Sequence, residues 1–496
     1  MEAITEIAVV TVPAYSHQAS ILEFCKRLVR LQNDGHFHLH VTCFIPTLGS
    51  PPSASMALIQ SLPSSITCAF LPPVSLHDQP KDLPLEVQLQ LAVSRSMPLV
   101  REALKSLAGS SSNLAAIVAE PLTIEALEIA KELNIISYLY FPCSAMMLSL
   151  CFYAEKLNQK MVSCGGEFRD LPVAIEIPGC VPVSGKDLPD NLQDRSSLSY
   201  EHFLQRCQSY HLAEGILLNS FQEMEAGAIK AWQHGEEPSV NGESRKRYPS
   251  VHAIGPIIKT RSSTETNQPE WDTCLRWLDK QPPNSVLFVS FGSGGRLSQA
   301  QINELALGLE LSGQRILWVN VKSPVEKASA SYLRDNKNEE EDPLHFLPLG
   351  FLERTKDRCF VMASWAPQVQ ILGHSSIGGF LSHCGWNSIL ESIVEGVPII
   401  AWPLFAEQRT NAAMLDDGLK VAIRPRVSDN NSNNNGIVEK EEISRVIKCI
   451  MEGDEEGEEI RRRMKQLKDA AACALMKDGS STKTLSNLAL KWSRNM

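Results

Sequence analysis

The run Ile377-Gly-Gly-Phe-Leu-Ser-His383-Cys-Gly-Trp386-Asn-Ser-Ile-Leu-Glu391-Ser-Ile-Val-Glu-Gly396-Val-Pro398-Ile-Ile-Ala-Trp402 changes its hydrophobic period twice. Ile377 to Ser382 is a short apolar run and reads as a buried strand. His383-Cys384-Gly385 is a turn. From Trp386 the apolar residues Ile389, Leu390, Ile393 and Val394 recur at helical spacing. Gly396 stands where a helix C-terminal glycine belongs, and Pro398 follows it. Ile399 to Trp402 reads as the next strand. The order strand, turn, helix, strand puts a helix N-terminus at Trp386, Asn387 and Ser388. Unpaired N–H groups there favour an anion, and the carboxyl ends of parallel strands are where open α/β sheets bind nucleotides. A diphosphate is the natural guest.

Two further strand-turn-helix openings extend the pattern. Ile7-Ala-Val-Val-Thr-Val-Pro13 leads through Ala14 to His17 into a helix carrying Ile21, Leu22, Phe24, Cys25 and Leu28. Val286 to Phe291 leads through Gly292-Ser293-Gly294-Gly295 into a helix carrying Ile302, Leu305, Ala306 and Leu309. The first continues through strands at Leu39–Ile45, Ala115–Ala119 and Ile135–Phe141, the second through Arg315–Val319. Alternating β and α segments imply parallel sheets with helices on both faces, and two such series imply two Rossmann-like domains with a cleft between them. The expected organisation is a first domain over 1–258, a linker over 259–272, a second domain over 273–478 and a C-terminal helix over 479–496 that packs back on the first. Polar segments at 322–342 and 428–436 read as surface insertions.

Composition excludes several classes. The 496 residues carry a formal charge of −10 and a pI near 5.7, against a nucleic-acid partner, which needs a basic patch. The 13 cysteines are scattered without a C-x-x-C pair, as suits a reducing compartment. Neither H-E-x-x-H nor D-x-D occurs, so no metal site is expected. No basic n-region precedes the first strand, and Pro142 with several serines interrupts the apolar run from Ile135 to Ala154. We therefore expect a cytoplasmic chain without a membrane span, monomeric by default. The loop 292–297 lacks the third glycine of G-x-G-x-x-G, which argues against a dinucleotide site.

Trp365-Ala-Pro-Gln368, the run above and Pro403-Leu-Phe-Ala-Glu407-Gln408 together resemble the signature of the plant family-1 UDP-glycosyltransferases, without a gap from Trp365 to Gln408. Leu62–Ile66, Phe70–Val74, Pro178–Pro182, Gly185–Asp187 and Phe351–Thr355 resemble its hydroquinone and monolignol glucosyltransferase branch. The resemblance implies an α/β GT-B fold, two Rossmann-like domains whose parallel sheets face a central cleft. It implies transfer of glucose from UDP-glucose, as co-substrate, to the hydroxyl of a small phenol, with inversion and without a metal.

Roles come with the resemblance. His17 would be the catalytic base; neutral imidazole near pH 7 can take a phenol's proton. The family usually has Asp after the strand that aligns with Ala115–Ala119, and this chain has Glu120 there, one methylene longer. Glu120 would orient His17, and its replacement of Asp raises two rivals: a C- or N-glucosyltransferase, or a protein that binds the UDP-sugar without turnover. Trp365 would stack on uracil and Gln368 would assist at base and ribose. Glu391 would accept the ribose hydroxyls. Ser293, His383, Asn387 and Ser388 would contact the diphosphate. Trp386 would present its backbone or ring to the sugar, and Glu407 and Gln408 would bind sugar hydroxyls. A terminal Gln in the signature implies glucose.

Overall fold

The structure is a computed structural model that describes residues 4–31, 38–80, 83, 85–109, 113–233, 248–259, 269–325, 342–427 and 436–494. The expected linker lies mostly outside the described residues, as do most of both expected insertions. The chain forms two compact units: Met1–Lys186, Asn191–Lys259 and Ala472–Met496 in the first, Asp187–Asp190 and Thr260–Ala471 in the second.

The first unit is built on seven strands: β1 (Ile4–Val10), β2 (His38–Ile45), β3 (Ile66–Phe70), β4 (Asn113–Ala119), β5 (Ile136–Phe141), β6 (Gly215–Leu218) and β7 (Ser250–Ala253). They lie in the order β3-β2-β1-β4-β5-β6-β7, each pair parallel. Six of the seven β1 residues are buried, as a strand covered on both faces requires. Glu6 keeps its place there because His40 Nδ1 at 2.9 Å and Thr42 Oγ1 at 2.6 Å donate to its carboxylate. Helix Tyr15–Arg30 buries Ile21, Leu22, Phe24, Cys25 and Leu28 against this sheet. The last helix, Ser480–Arg494, sends Leu485, Leu488, Ala489 and Trp492 into the same core, where Trp492 meets Tyr138 edge-on at 5.2 Å. The apolar run from Ile135 divides into β5 and the helix Ala145–Cys164. Among the described residues no helix is long and apolar enough to cross a membrane.

The second unit has six strands: β8 (Val286–Ser290), β9 (Arg315–Trp318), β10 (Cys359–Val361), β11 (Ile377–Ser382), β12 (Ile399–Ala401) and β13 (Ala422–Ile423). Their order is β10-β9-β8-β11-β12-β13, again parallel throughout. Alternate residues face opposite layers. Leu287, Val289, Ile316 and Trp318 enter one core, whereas Val286, Phe288, Leu317 and Val319 enter the other. β11 and helix Trp386–Glu395 have the expected bounds, and Gly396 ends the helix at φ +76°, a conformation glycine adopts without a Cβ penalty. In each sheet the order reverses between two central strands, β1 and β4 in the first, β8 and β11 in the second. Ligand crevices open at such switch points.

Candidate active site

At the first switch point, β1 and β4 run in register, with Val10 opposite Ala119. The next residues, Thr11 and Glu120, therefore emerge side by side at the carboxyl ends of the strands. After Thr11 the chain turns, with Gln18 Nε2 donating to the Val12 carbonyl at 3.0 Å, and enters helix Tyr15–Arg30. His17 lies in that helix's first turn, not on the turn before it. Its Nδ1 sits 2.5 Å from Glu120 Oε2, the ring 30% exposed and Glu120 wholly buried. Burial discards a solvated loop carboxylate for Glu120, and the longer side chain does not miss the imidazole. Thr11 Oγ1 donates to the other carboxylate oxygen, Oε1. Behind them Ser20 Oγ meets Tyr140 OH at 2.8 Å. Burial pushes the Tyr140 phenol well above its ordinary range, so it stays neutral.

At the second switch point the turn after β8 faces the turn after β11. Gly292 has φ +70°, and a Cβ there would lie 2.5 Å from His383 Nε2. A Cβ on Gly385 would also lie 2.5 Å from that nitrogen. The His383 ring thus fills space that two glycines leave open. It is 7% exposed, its Nδ1 has no partner among the described residues, and burial depresses its pKa to about 4. The imidazole is neutral and can donate an N–H without carrying charge. Cys384 takes φ +62°, Gly385 provides no side-chain cap, and the first turn of helix Trp386–Glu395 presents backbone N–H groups.

Near this turn three of the residues singled out in the sequence meet. Gln368 Nε2 donates to Ser388 Oγ at 2.8 Å and to Glu391 Oε2 at 2.6 Å. Trp365 is 39% exposed, and its carbonyl accepts from Trp271 Nε1 at 2.8 Å, leaving the indole accessible to a stacking partner. Ser293 is exposed and Asn387 half-buried. Trp386 is 3% exposed, so of the two alternatives, backbone or ring, the ring is withdrawn into the core. Gln408 is equally buried: its Oε1 accepts from Leu404 N at 2.9 Å and Phe405 N at 3.1 Å. Glu407, half-buried, precedes helix Gln408–Ala413.

Three residues to which sequence reasoning gave no role hold the turns around the site, and a fourth, Asp187, pairs with Arg424 after β13. Asn411 Nδ2 donates to the Cys384 carbonyl at 3.1 Å and lies 3.5 Å from Glu407 Oε1. Asn320, at φ +55°, donates to the Gly292 carbonyl at 2.6 Å. Asp190 Oδ2 accepts from Ala406 N at 2.8 Å, and its own N–H donates to the Ala406 carbonyl at 3.1 Å. Asp190 Oδ1 also accepts from Arg409. Asp187 accepts from Arg424 at 2.7 Å. Asn and Asp are ordinary turn residues, and nothing in their sequence context separates these from others. Among the described residues no group of three His, Cys, Asp or Glu side chains is placed to hold a metal ion.

Comparison with known proteins gives a consistent result. Residues 263–428 match the family described as UDP-glucoronosyl and UDP-glucosyl transferase. The chain is 48% identical to hydroquinone glucosyltransferase of Rauvolfia serpentina, over 99% of this chain and 98% of that one. It is 46% identical to UDP-glycosyltransferase 72B1 of Arabidopsis thaliana, over 98% and 96%. The structure of Phytolacca americana UGT2 complexed with UDP-2fluoro-glucose and pterostilbene superposes with a TM-score of 0.85 at 42% identity, over 99% of this chain and all of that one.

Proposed function

The chain belongs to the family of UDP-glucosyl transferases, with its GT-B fold, and we propose that it moves glucose from UDP-glucose to a hydroxyl of a small phenol, forming a β-O-glucoside with inversion. It is a UDP-glucose-dependent glycosyltransferase. The observation that carries the mechanism is the 2.5 Å approach of His17 Nδ1 to buried Glu120. With Nδ1–H donating to the carboxylate, proton exchange falls to Nε2.

In the proposed reaction, His17 Nε2 takes the proton of the phenolic O–H. The phenolic oxygen forms its bond to the anomeric carbon as the bond from that carbon to the β-phosphate oxygen breaks. UDP leaves with the electron pair, and attack opposite the leaving group inverts the carbon. Glu120 supports the imidazolium charge. The leaving diphosphate gains negative charge, and the groups assigned to it are N–H and O–H donors: neutral His383, Asn387, Ser388, Ser293 and the first-turn backbone of helix Trp386–Glu395. Trp365 stacks on uracil, Gln368 assists at base and ribose, and Glu391 accepts the ribose hydroxyls. Trp386 contributes its backbone, and Glu407 with Gln408 binds the sugar. The groups assigned to the diphosphate are all N–H and O–H donors, and on this reading the transfer runs without a metal. Two relatives support a phenolic acceptor: one is a hydroquinone glucosyltransferase and another was captured with pterostilbene. An intact His17–Glu120 contact speaks against a protein that only binds the nucleotide sugar.

The test is incubation with UDP-glucose, a chelator and a panel of phenols, with mass spectrometry for hexosylated product and the anomeric proton coupling for configuration. We expect β-glucoside with wild type, and a loss on the order of 100-fold or more in kcat for His17→Ala, the usual yield of a general base. An α-linked product, dependence on added metal, or full activity in His17→Ala would each overturn the corresponding part of the mechanism.

A further inference from the structure

We propose that Thr11 is a positioning residue for catalysis, the group that lets glutamate rather than aspartate orient His17; the inference rests on the His17–Glu120 reading above. Glutamate has one more rotatable bond than aspartate, and a carboxylate held by one hydrogen bond at the end of a longer stem can swing out of line. Here both oxygens are occupied by different donors. Oε2 takes His17 Nδ1 and Oε1 takes the Thr11 hydroxyl, which together set the plane of the carboxylate. Hydrogen bonds to an ionised acceptor are the strong ones.

The backbone beneath is pinned separately. Glu120 N–H donates to Thr123 Oγ1 at 2.8 Å, and that hydroxyl donates to the Val10 carbonyl at 2.8 Å. One threonine fixes where the Glu120 side chain starts and the other fixes where it ends. Thr11, Glu120 and Thr123 are all fully buried, so no water substitutes for a lost donor without a place made for it. Thr11 acts through Glu120, whose Oε1 takes its hydroxyl.

The experiment measures steady-state rates with UDP-glucose and the best phenol for wild type, Thr11→Val, Thr11→Ala, Thr11→Ser, Glu120→Ala and the double variant Thr11→Val/Glu120→Ala. UDP affinity by calorimetry and melting temperature report that each variant is folded. We expect Thr11→Val and Thr11→Ala to lose about tenfold or more in kcat with KM for UDP-glucose within about twofold, a loss confined to the chemical step. Thr11→Ser, which keeps the hydroxyl, should stay within about threefold of wild type. The double variant should be no slower than Glu120→Ala by more than about twofold, because groups acting through one another are non-additive. Thr11→Val and Thr11→Ala within twofold of wild type, or a double variant showing the product of both losses, overturns the proposal. Where Thr11→Val alone unfolds, the smaller Thr11→Ala decides by the same criterion. Glu120→Ala as active as wild type instead removes the His17–Glu120 reading itself, a different failure.

Discussion

The buried histidine at the second switch point should make the protein's stability fall as acid is added, by an amount that one substitution can isolate. His383 is 7% exposed, and burial lowers its pKa from 6.5 to about 4. Between those values the unfolded chain binds the proton and the folded chain does not. The contribution is therefore complete above pH 6.5 and is lost as pH falls toward 4. At about 1.36 kcal/mol for each tenfold change in proton affinity, the difference amounts to roughly 3 kcal/mol, most of it spent by pH 4.5. The assay is urea unfolding at 25 °C without ligand, followed by tryptophan fluorescence from pH 7.5 to 4.5, on wild type and His383→Gln. Glutamine does not titrate, so the acid-induced loss should be roughly 2 to 3 kcal/mol smaller in the variant, with every other titrating group common to both. Curves that run parallel to within about 0.5 kcal/mol would refute the argument. They would mean that water reaches the ring, or that the glycines beside it give way, and that the imidazole is not held neutral by its surroundings.

Two further outcomes are expected. Asp190→Ala removes the acceptor for Ala406 N–H and for Arg409, loosening the turn that carries Glu407 and Gln408. KM for UDP-glucose should rise about three- to tenfold, the scale of one ordinary net hydrogen bond, while Kd for UDP stays unchanged in calorimetry; an equal weakening of both would contradict it. Glu225 accepts from Ala145 N and Met146 N, each at 2.9 Å, and from Ser220 Oγ at 2.5 Å, so it caps helix Ala145–Cys164 from inside the core. Glu225→Ala should cost about 2 kcal/mol in thermal melts. Burial raises the Glu225 pKa, so its stabilising share is complete below pH 4.5 and declines as pH rises through the folded value. The gap between Glu225→Ala and wild type should therefore narrow toward alkaline pH, and a widening gap would show the sign to be wrong.

Local signals made the second unit's centre legible. β11, the turn at His383 and the helix from Trp386 are consecutive in sequence, and each carries its own period or punctuation. Contacts between distant segments were not. His17 and Glu120 are 103 residues apart; the family resemblance pairs them, but no periodicity reports that β1 lies beside β4. The start of β1 was hidden because a carboxylate at Glu6 does not look like a buried strand residue; its backbone pairs with β2 and β4, and His40 and Thr42 satisfy its side chain. The two residues of β13 and three of β10 are too short for any pattern to emerge. Asp187–Asp190 belongs with the second unit though it interrupts the first in sequence, a placement no composition shift announces. Trp386 shows the converse limit: a conspicuous aromatic in a functional motif whose ring is core.

In the proposed mechanism, surroundings divide one side chain, histidine, between two tasks. A base must accept a proton during the reaction, so it needs access to substrate and a neighbour that supports the charge. His17 has both, with its ring partly exposed and a buried carboxylate on Nδ1. A group that receives a departing diphosphate needs a fixed N–H and must not take the proton that the base is removing. On that proposal His383 meets the need by having no carboxylate partner among the described residues and by sitting in a gap that glycines leave open. Exchanging the environments would exchange the roles: a carboxylate beside His383 would support a positive charge at the diphosphate end, and stripping Glu120 from His17 would leave a base without support for its imidazolium. The Glu120 side chain therefore matters less for its length than for being held, and the groups that hold it, His17 on one oxygen and Thr11 on the other, are what a search for aspartate at this position overlooks.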